Sequence, residues 1–525
     1  MLFASYEFIG FIVLLLLLYY IIPQKFQWIL LLGFSCIFYY IADPVYLIYI
    51  FTTIITTYFV TCQMEKHSGK SNSNLELTRE EKKAYKQQQK KIRFRWMLAC
   101  LLINIGILVA VKYLNFIISN ISAVFFLSAK TDQPFFVCLA LPMGISFYTF
   151  QAMGYLIDVY RGSIHAEKNF FKFALFISFF PQLIQGPISR FGDLSKTLYE
   201  KHPFDSQTVC YGLQRVLWGF FKKLVIADRF MPTVLTLVGD YDTYHGAYAF
   251  VGMVFYTLQL YADFIGGIDI TIGIAQAMGI KVQENFHRPY FSKSLKEYWR
   301  RWHISMCNWF RDYIFYPVST SKKLMNLSKF ARKHFGDNIG KRLPVYISSF
   351  VVWFTTGIWH GASWNFIVWG LGNWVVLMVS QELEPLYQRF HNRFHLEDKF
   401  FYKLFQIGRT FLLVCCLNMF DCYSSVKDTF RAFASMFTAT NWQILWNGEL
   451  LKIGLSMLDY GILAVGVLLM LIVSLIQRSG AVRDKIARQA YPVRFVIWFG
   501  LFLIVILMGA YGVGYDSSQF IYNRF

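Results

Sequence analysis

The chain has 525 residues, 56% hydrophobic and 19% aromatic, with a mean hydropathy of +0.40. Soluble domains run at roughly 45–50% apolar, so these figures exclude an ordinary soluble globular class. The net charge of +20 does not point to nucleic acid: the basic residues gather in loops between apolar blocks, and no nucleic-acid motif accompanies them.

Residues 8–22, 26–42 and 46–60 form the first three apolar blocks, close to the roughly 17–25 residues that a membrane-spanning helix needs. The first has no basic residue before its apolar core and no A-x-A-like cleavage site, and further spans follow at once. It therefore reads as a retained helix rather than a signal peptide. The strongest basic loop, 64–95, is assigned to the cytoplasm, which puts the N-terminus outside. After the block at 96–118, the region 135–318 resists division into clean spans. It carries Pro142, Gly144, Pro181, Gly186 and Pro187 at apolar depth, where irregular backbone is tolerated only against protein or a water-filled cavity. It reads as the wall of a polar pocket with short or re-entrant helices.

A second basic loop, 322–342, is also expected in the cytoplasm, directly before the apolar run 343–379. A helix starting near Pro344 would carry His360 about 24 Å from the inner boundary, into the outer half of the membrane. The last blocks are 455–476 and 495–513, separated by the basic loop 478–494, which leaves the tail 515–525 outside. The expected fold is an all-α polytopic membrane protein with about eleven transmembrane helices and short re-entrant or interfacial helices. It is treated as one integral-membrane domain over 1–525. Residues 1–134 hold the N-terminal helices and basic loop, 135–380 the motif-bearing core, and 381–525 the C-terminal helices and aromatic tail. Most of the nine cysteines fall in apolar blocks without C-x-x-C or metal-ligand spacing, so neither a disulfide framework nor a metal site is expected.

The stretch Thr356-Gly-Ile-Trp-His-Gly-Ala-Ser-Trp-Asn365 places an imidazole inside an apolar run. Hydrocarbon cannot hydrate that ring, so a functional role is the default hypothesis. Gly357 and Gly361 leave room for another backbone or a substrate. A buried histidine that only bonds a neighbouring helix fits the same run equally well.

Further stretches surround it. They are Leu141-Pro-Met-Gly-Ile-Ser-Phe-Tyr-Thr-Phe-Gln151 with Asp158-Val-Tyr-Arg161, and Phe180-Pro-Gln-Leu-Ile-Gln-Gly-Pro-Ile-Ser-Arg190. Tyr261-Ala-Asp-Phe-Ile-Gly-Gly-Ile-Asp269 runs on to Glu284-Asn-Phe-His-Arg-Pro-Tyr290, and Glu297-Tyr-Trp-Arg-Arg-Trp-His303 leads to Trp309-Phe-Arg-Asp-Tyr313. As a set these resemble the membrane-bound O-acyltransferase family, most closely its bacterial alginate O-acetyltransferase branch. The resemblance implies acyl transfer from a cytoplasmic thioester to a hydroxyl acceptor across a membrane fold shaped around a central funnel. The family's central histidine corresponds to His360, and the second site histidine of the bacterial branch to His303.

The chemistry agrees. Transfer from a thioester to an alcohol requires deprotonating a hydroxyl, which a neutral imidazole does near pH 7. His360 is expected to be the general base, and His303 to orient the thioester carbonyl or stabilise its developing charge. Without the resemblance, the Trp- and Arg-rich segment around His303 would read as an interfacial amphipathic helix. Arg300 and Arg301 are candidates for the phosphates of coenzyme A, with Lys222, Lys223 and Arg229 as rivals and anionic lipid headgroups as alternative partners. Trp359 and Asn365 are expected to line the substrate site. Asp158, Asp263 and Asp269 read as ion-pair partners for Arg161, Arg190 or Arg288. His287, His334, His391 and His395 read as solvated loop residues.

The tail Ser518-Gln-Phe-Ile-Tyr-Asn-Arg-Phe525 resembles the aromatic ends of related systems in which a tyrosine carries the acyl group, although Asn523-Arg524 departs from that pattern. Tyr522 is the candidate acyl acceptor; an interfacial aromatic anchor is the alternative. The expected function is O-acetylation of an exported or cell-wall polysaccharide, with acetyl-CoA as donor substrate and no bound cofactor. An extracytoplasmic SGNH or esterase-like partner is expected to complete it at the cytoplasmic membrane. Rival readings are a D-alanyl or lipid O-acyltransferase, and a transporter or flippase; the absence of inverted repeats weighs against the last.

Overall fold

The computed structural model describes residues 5–67, 78–124, 142–183, 185–423 and 425–511. Every regular element among them is helical. Among the described residues seven helices are long and apolar enough to cross a membrane, or eight if the bent pair Trp364–Glu382 and Glu384–Phe394 counts as one span. Tyr6–Ile21 is a shorter apolar helix. The chain is a multi-pass membrane protein. Short helices fill much of the central region. The tail bearing Tyr522 lies outside the described residues.

The chain divides into two compact units, residues 1–212 with 274–283, and residues 213–273 with 284–525. The first contains α1 (Tyr6–Ile21), α2 (Gln27–Ala42), α3 (Pro44–Lys66), α4 (Arg79–Leu108) and α5 (Ile145–Arg161). A Thr78–Glu81 capping box starts α4, so the basic stretch from residue 79 is helical. Phe11, Phe34, Phe38 and Phe180 interlock with ring centroids 5.0–6.1 Å apart. The Tyr39 hydroxyl donates to the Met143 carbonyl (2.9 Å). Gly144, at φ +71°, approaches so closely that a Cβ there would lie 2.0 Å from the Leu183 carbonyl oxygen. The Leu141–Gln151 and Phe180–Arg190 motifs thus meet as packing partners that only glycine allows.

In the second unit, α6 (Ser206–Phe220) enters from the first and runs into a π-helical turn, Phe221–Ala227. It packs on α7 (Ala247–Ala277): a Cβ on Gly219 would sit 2.7 Å from the Gly266 carbonyl oxygen. At the π turn Lys222 pairs with Asp269, and Lys223 with Asp263 (2.6 Å) and Asp228 (2.7 Å). Arg215 bridges Asp269 (2.8 Å) and Glu284 (2.5 Å), and Arg229 pairs with Asp459. The aspartates Asp263 and Asp269 are ion-paired as expected, but to lysines and Arg215 rather than Arg161, Arg190 or Arg288. Lys222, Lys223 and Arg229 are buried in these pairs, each already matched to a carboxylate rather than reserved for coenzyme A.

Two seven-residue helices follow, α8 (Leu295–Arg301) and α9 (Ile304–Phe310), then α10 (Lys322–Phe335) and α11 (Asp337–His360). The α11 helix begins seven residues before Pro344, which lies inside it. Proline leaves the carbonyl four residues back without its N–H donor. Here that carbonyl belongs to Gly340, and the Ser328 hydroxyl donates to it (2.6 Å). A substitute donor from α10 therefore lets the helix run through the proline. At 1.5 Å per residue His360 stands about 35 Å along α11, farther than a start at Pro344 would give.

A short connection leads from α11 to α12 (Trp364–Glu382), and glycines let the two helices close together. A Cβ on Gly357 would lie 2.5 Å from the Phe366 carbonyl oxygen, and one on Gly370 would lie 2.4 Å from that of Trp353. The unit is completed by α13 (Phe400–Cys422), α14 (Met457–Ile476) and α15 (Tyr491–Met508). His334 and His391 are helical rather than loop residues: His334 stacks on Phe330 (4.1 Å), and His391 meets the Tyr402 hydroxyl (2.7 Å).

Candidate active site

His360 ends α11, and the next residue, Gly361, leaves the helix in extended conformation. A Cβ at Gly361 would run into the Phe366 ring at 2.2 Å, so the tight exit belongs to glycine for lack of space. The His360 ring meets Trp369 edge-on at 4.6 Å and lies near-parallel to Phe366 at 6.2 Å. It is half-buried, with Nε2 shielded from water.

His303 occupies the corner between α8 and α9 at φ +47°, a left-handed conformation uncommon outside glycine and asparagine. It is fully buried. The corner is pinned by the 284–287 segment: the His287 amide donates to the Arg301 carbonyl (2.9 Å), and the Ile304 amide to the Asn285 carbonyl (3.0 Å). The Ser305 amide donates to Asn285 Oδ1 (2.9 Å). That bond fixes the orientation of the Asn285 amide, so its Nδ2 is the atom facing His303 Nδ1 at 3.3 Å. Nδ2 has only hydrogens to give, so Nδ1 accepts and the ring proton of neutral His303 resides on Nε2.

Trp359 links the two imidazoles. Its ring lies 6.0 Å from His303 and 5.1 Å from His360, edge-on to both. Phe264 (5.0 Å) and Phe286 (6.5 Å) complete the surroundings of His303. Residues 302–303 belong to neither helix and to none of the candidate spans. Burial, reinforced by the charge of a protonated His360, holds the His303 pKa well below the ordinary histidine value. The arrangement therefore offers one neutral imidazole with a directed N–H and a second imidazole beside it. Such a pair serves a reaction in which one site removes a proton while the other donates a hydrogen bond to growing negative charge.

Residues 164–426 match the family described as MBOAT, membrane-bound O-acyltransferase. The probable alginate O-acetylase AlgI of Azotobacter vinelandii is 32% identical over 71% of this chain and 69% of its own length. The chain belongs to the membrane-bound O-acyltransferase family. It is accordingly an O-acyltransferase, of the branch that includes the alginate O-acetylases. The peptidoglycan O-acetyltransferase of Helicobacter pylori is 29% identical over 59% of both chains. The teichoic acid D-alanyltransferase of Bacillus subtilis is 27% identical over 45% of this chain and 58% of its own.

Of the residues that sequence reasoning assigned to the O-acyltransferase site, His303, Trp359 and His360 come together. Asn365 lies close by on α12, but its amide donates to the Tyr423 carbonyl (2.6 Å), which ties α12 to the end of α13. Arg301 pairs with Glu297 (2.5 Å), while Arg300 is exposed. Asn285 and Trp369 join the site without being candidates by residue type or spacing. Asn285 lies in the Glu284–Tyr290 motif, yet its role depends on a loop folding back over residues some twenty positions on. Among the described residues no group of three or more His, Cys, Asp or Glu could hold a metal ion.

Proposed function

We propose that this O-acyltransferase moves an acetyl group from acetyl-CoA on the cytoplasmic side to a hydroxyl acceptor, for O-acetylation of an exported or cell-wall polysaccharide. The observation that carries this reading is the pair His303 and His360 on either side of Trp359, within a chain of this family. His360 takes the proton from the acceptor hydroxyl as its oxygen attacks the thioester carbonyl carbon. The His303 Nε2–H donates to the oxygen that gains negative charge. When the tetrahedral centre collapses, the C–S bond breaks, and the departing thiolate receives the proton from His360. Atoms and charge balance without an added cofactor.

The acceptor class draws support from the names of relatives that act on alginate and peptidoglycan. Tyr522 is proposed as the first acceptor, handing the acetyl to an extracytoplasmic esterase-like partner. Full-length protein incubated with labelled acetyl-CoA tests the reading. Thioester cleavage should be lost in His360→Ala, and the tail peptide of active protein should gain one acetyl mass. Cleavage unchanged in His360→Ala removes that residue from the reaction, and a tail that never gains acetyl removes Tyr522. The matches to teichoic acid D-alanyltransferases support a second donor, a D-alanyl thioester; the same assay run with that donor discriminates the two.

A further inference from the structure

A cleft of about 110 Å³ opens in the second unit among α6, α7, α14 and the 284–288 segment. Its wall includes Arg215, Lys222, Asp269, Glu284, Arg288 and Gln477. The charges within it are not evenly matched. Asp269 and Glu284 are committed to Arg215 and Lys222. Arg288 meets no carboxylate among the described residues, and its buried Nε has no hydrogen-bond partner. Its guanidinium lies 4.6 Å from the Phe291 ring, and its carbonyl accepts from Arg301 Nη1 (3.4 Å). Arg478, next in sequence to Gln477, lies close enough to act on the Arg288 charge. Burial, together with Arg301 and Arg478, lowers the Arg288 pKa. The Arg288 backbone sits at φ +50°, a position that L side chains rarely adopt. A guanidinium held in that conformation, among other cations and without a carboxylate, is a site built for an anion.

The same cleft adjoins the histidine site. Phe286 lines it and also lies near-parallel to the His303 ring at 6.5 Å. Tyr261 lines it and stacks on Trp302 at 6.2 Å. An anion at Arg288 would therefore be one aromatic layer away from the imidazole that faces the reacting carbonyl.

We propose that this cleft binds a phosphate ester through the Arg288 guanidinium, with Ser474 and Gln477 as neutral partners at the rim, and that the phosphate belongs to the thioester donor. Guanidinium presents paired N–H groups that match phosphate oxygens, whereas an ammonium acts as a point charge. The second clause rests on the acyl-transfer reading above; the first does not. An anionic lipid headgroup carries the same chemistry.

The test uses full-length protein in nanodiscs of phosphatidylcholine, alone or with phosphatidylglycerol, titrated with coenzyme A and with pantetheine. In phosphatidylcholine discs coenzyme A should bind about tenfold or more tighter than pantetheine, the factor expected for one charge-assisted bidentate contact. Arg288→Gln should bring the two affinities together, and Arg288→Lys should fall between. Gln477→Glu, which adds a carboxylate at the rim, should act like Arg288→Gln, and pantetheine should bind all variants alike. Wild-type discrimination retained in both Arg288→Gln and Gln477→Glu overturns the proposal. If coenzyme A and pantetheine bind the wild type equally while phosphatidylglycerol raises its thermal midpoint through Arg288, the phosphate is the lipid's and the donor clause falls. Thioester turnover measured alongside separates the two readings. Arg288-dependent discrimination without turnover overturns acyl transfer and keeps the site. Turnover lost in His360→Ala, with Arg288→Gln behaving as wild type, keeps acyl transfer and overturns the site.

Discussion

Asn285 presents an N–H to Nδ1 of His303 at 3.3 Å while its own Oδ1 is held by the Ser305 amide. The asparagine therefore selects which nitrogen of the imidazole carries the proton. Asn285→Asp preserves the shape but offers only acceptors, so it draws the proton to Nδ1 and leaves Nε2 bare. Acyl-transfer kcat should fall by about two orders of magnitude, the scale of one oxyanion donor, with the donor KM little changed. A variant with wild-type kcat would mean that the tautomer does not matter to turnover.

Acid should weaken the fold through His303. Its folded pKa lies well below the ordinary 6.5, because burial and the nearby His360 penalise the charged ring. Above pH 6.5 both folded and unfolded chains hold it neutral, and the term vanishes. Below that pH the unfolded chain takes up a proton that the folded chain refuses, so stability drops by up to about 1.4 kcal/mol per pH unit. The thermal midpoint of the wild type should fall between pH 7 and 5.5, and His303→Asn should show a shallower decline over the same window.

The α11–α12 hairpin is sensitive to one methyl group. A Cβ at Gly357 or Gly370 would press into a carbonyl oxygen at 2.5 or 2.4 Å, so Gly357→Ala and Gly370→Ala should each cost about 1–3 kcal/mol of stability. Because His360 sits three residues beyond Gly357, turnover in Gly357→Ala should fall about tenfold or more even where the protein remains folded at the assay temperature. Size-exclusion profiles and initial rates measured together would check this.

Among the described residues Asp269 is the carboxylate that pairs with Lys222, whose side chain is buried. Asp269→Asn leaves that ammonium without its counter-charge and should cost about 3–5 kcal/mol. Replacing both partners by apolar groups, Lys222→Met with Asp269→Leu, should recover much of the loss, since a matched apolar pair avoids desolvating charge. Thermal unfolding of the single and double variants decides between a stabilising pair and a merely adjacent one.

Much of this molecule is readable from its residues. Apolar blocks gave the spanning helices at 27–42, 44–66, 457–476 and 491–508 because hydrocarbon allows few other solutions. His303 and His360 were legible because their flanking motifs are distinctive as a set. What could not be read depends on contacts between distant positions. Lys222 and Lys223 look like phosphate ligands until Asp269 and Asp263, 47 and 40 residues later, are seen to meet them. Pro344 looks like a helix start until Ser328 supplies the donor it lacks. Asn285 stands inside a distinctive motif, but nothing local gives its role; only the fold-back onto Ser305 makes it an orienting group.

The wide turn at Phe221–Ala227 has a consequence for how this protein tolerates change in length. One residue more than a regular helix needs is accommodated there, so neighbouring lysines both reach acids of a single facing helix. Deleting one residue in that turn would tighten it to ordinary winding and rotate everything after it by about 100° relative to what precedes. At most one lysine would then keep its partner. An indel elsewhere in a surface loop changes a length; here it would change a register, and the cost would appear as a stranded charge.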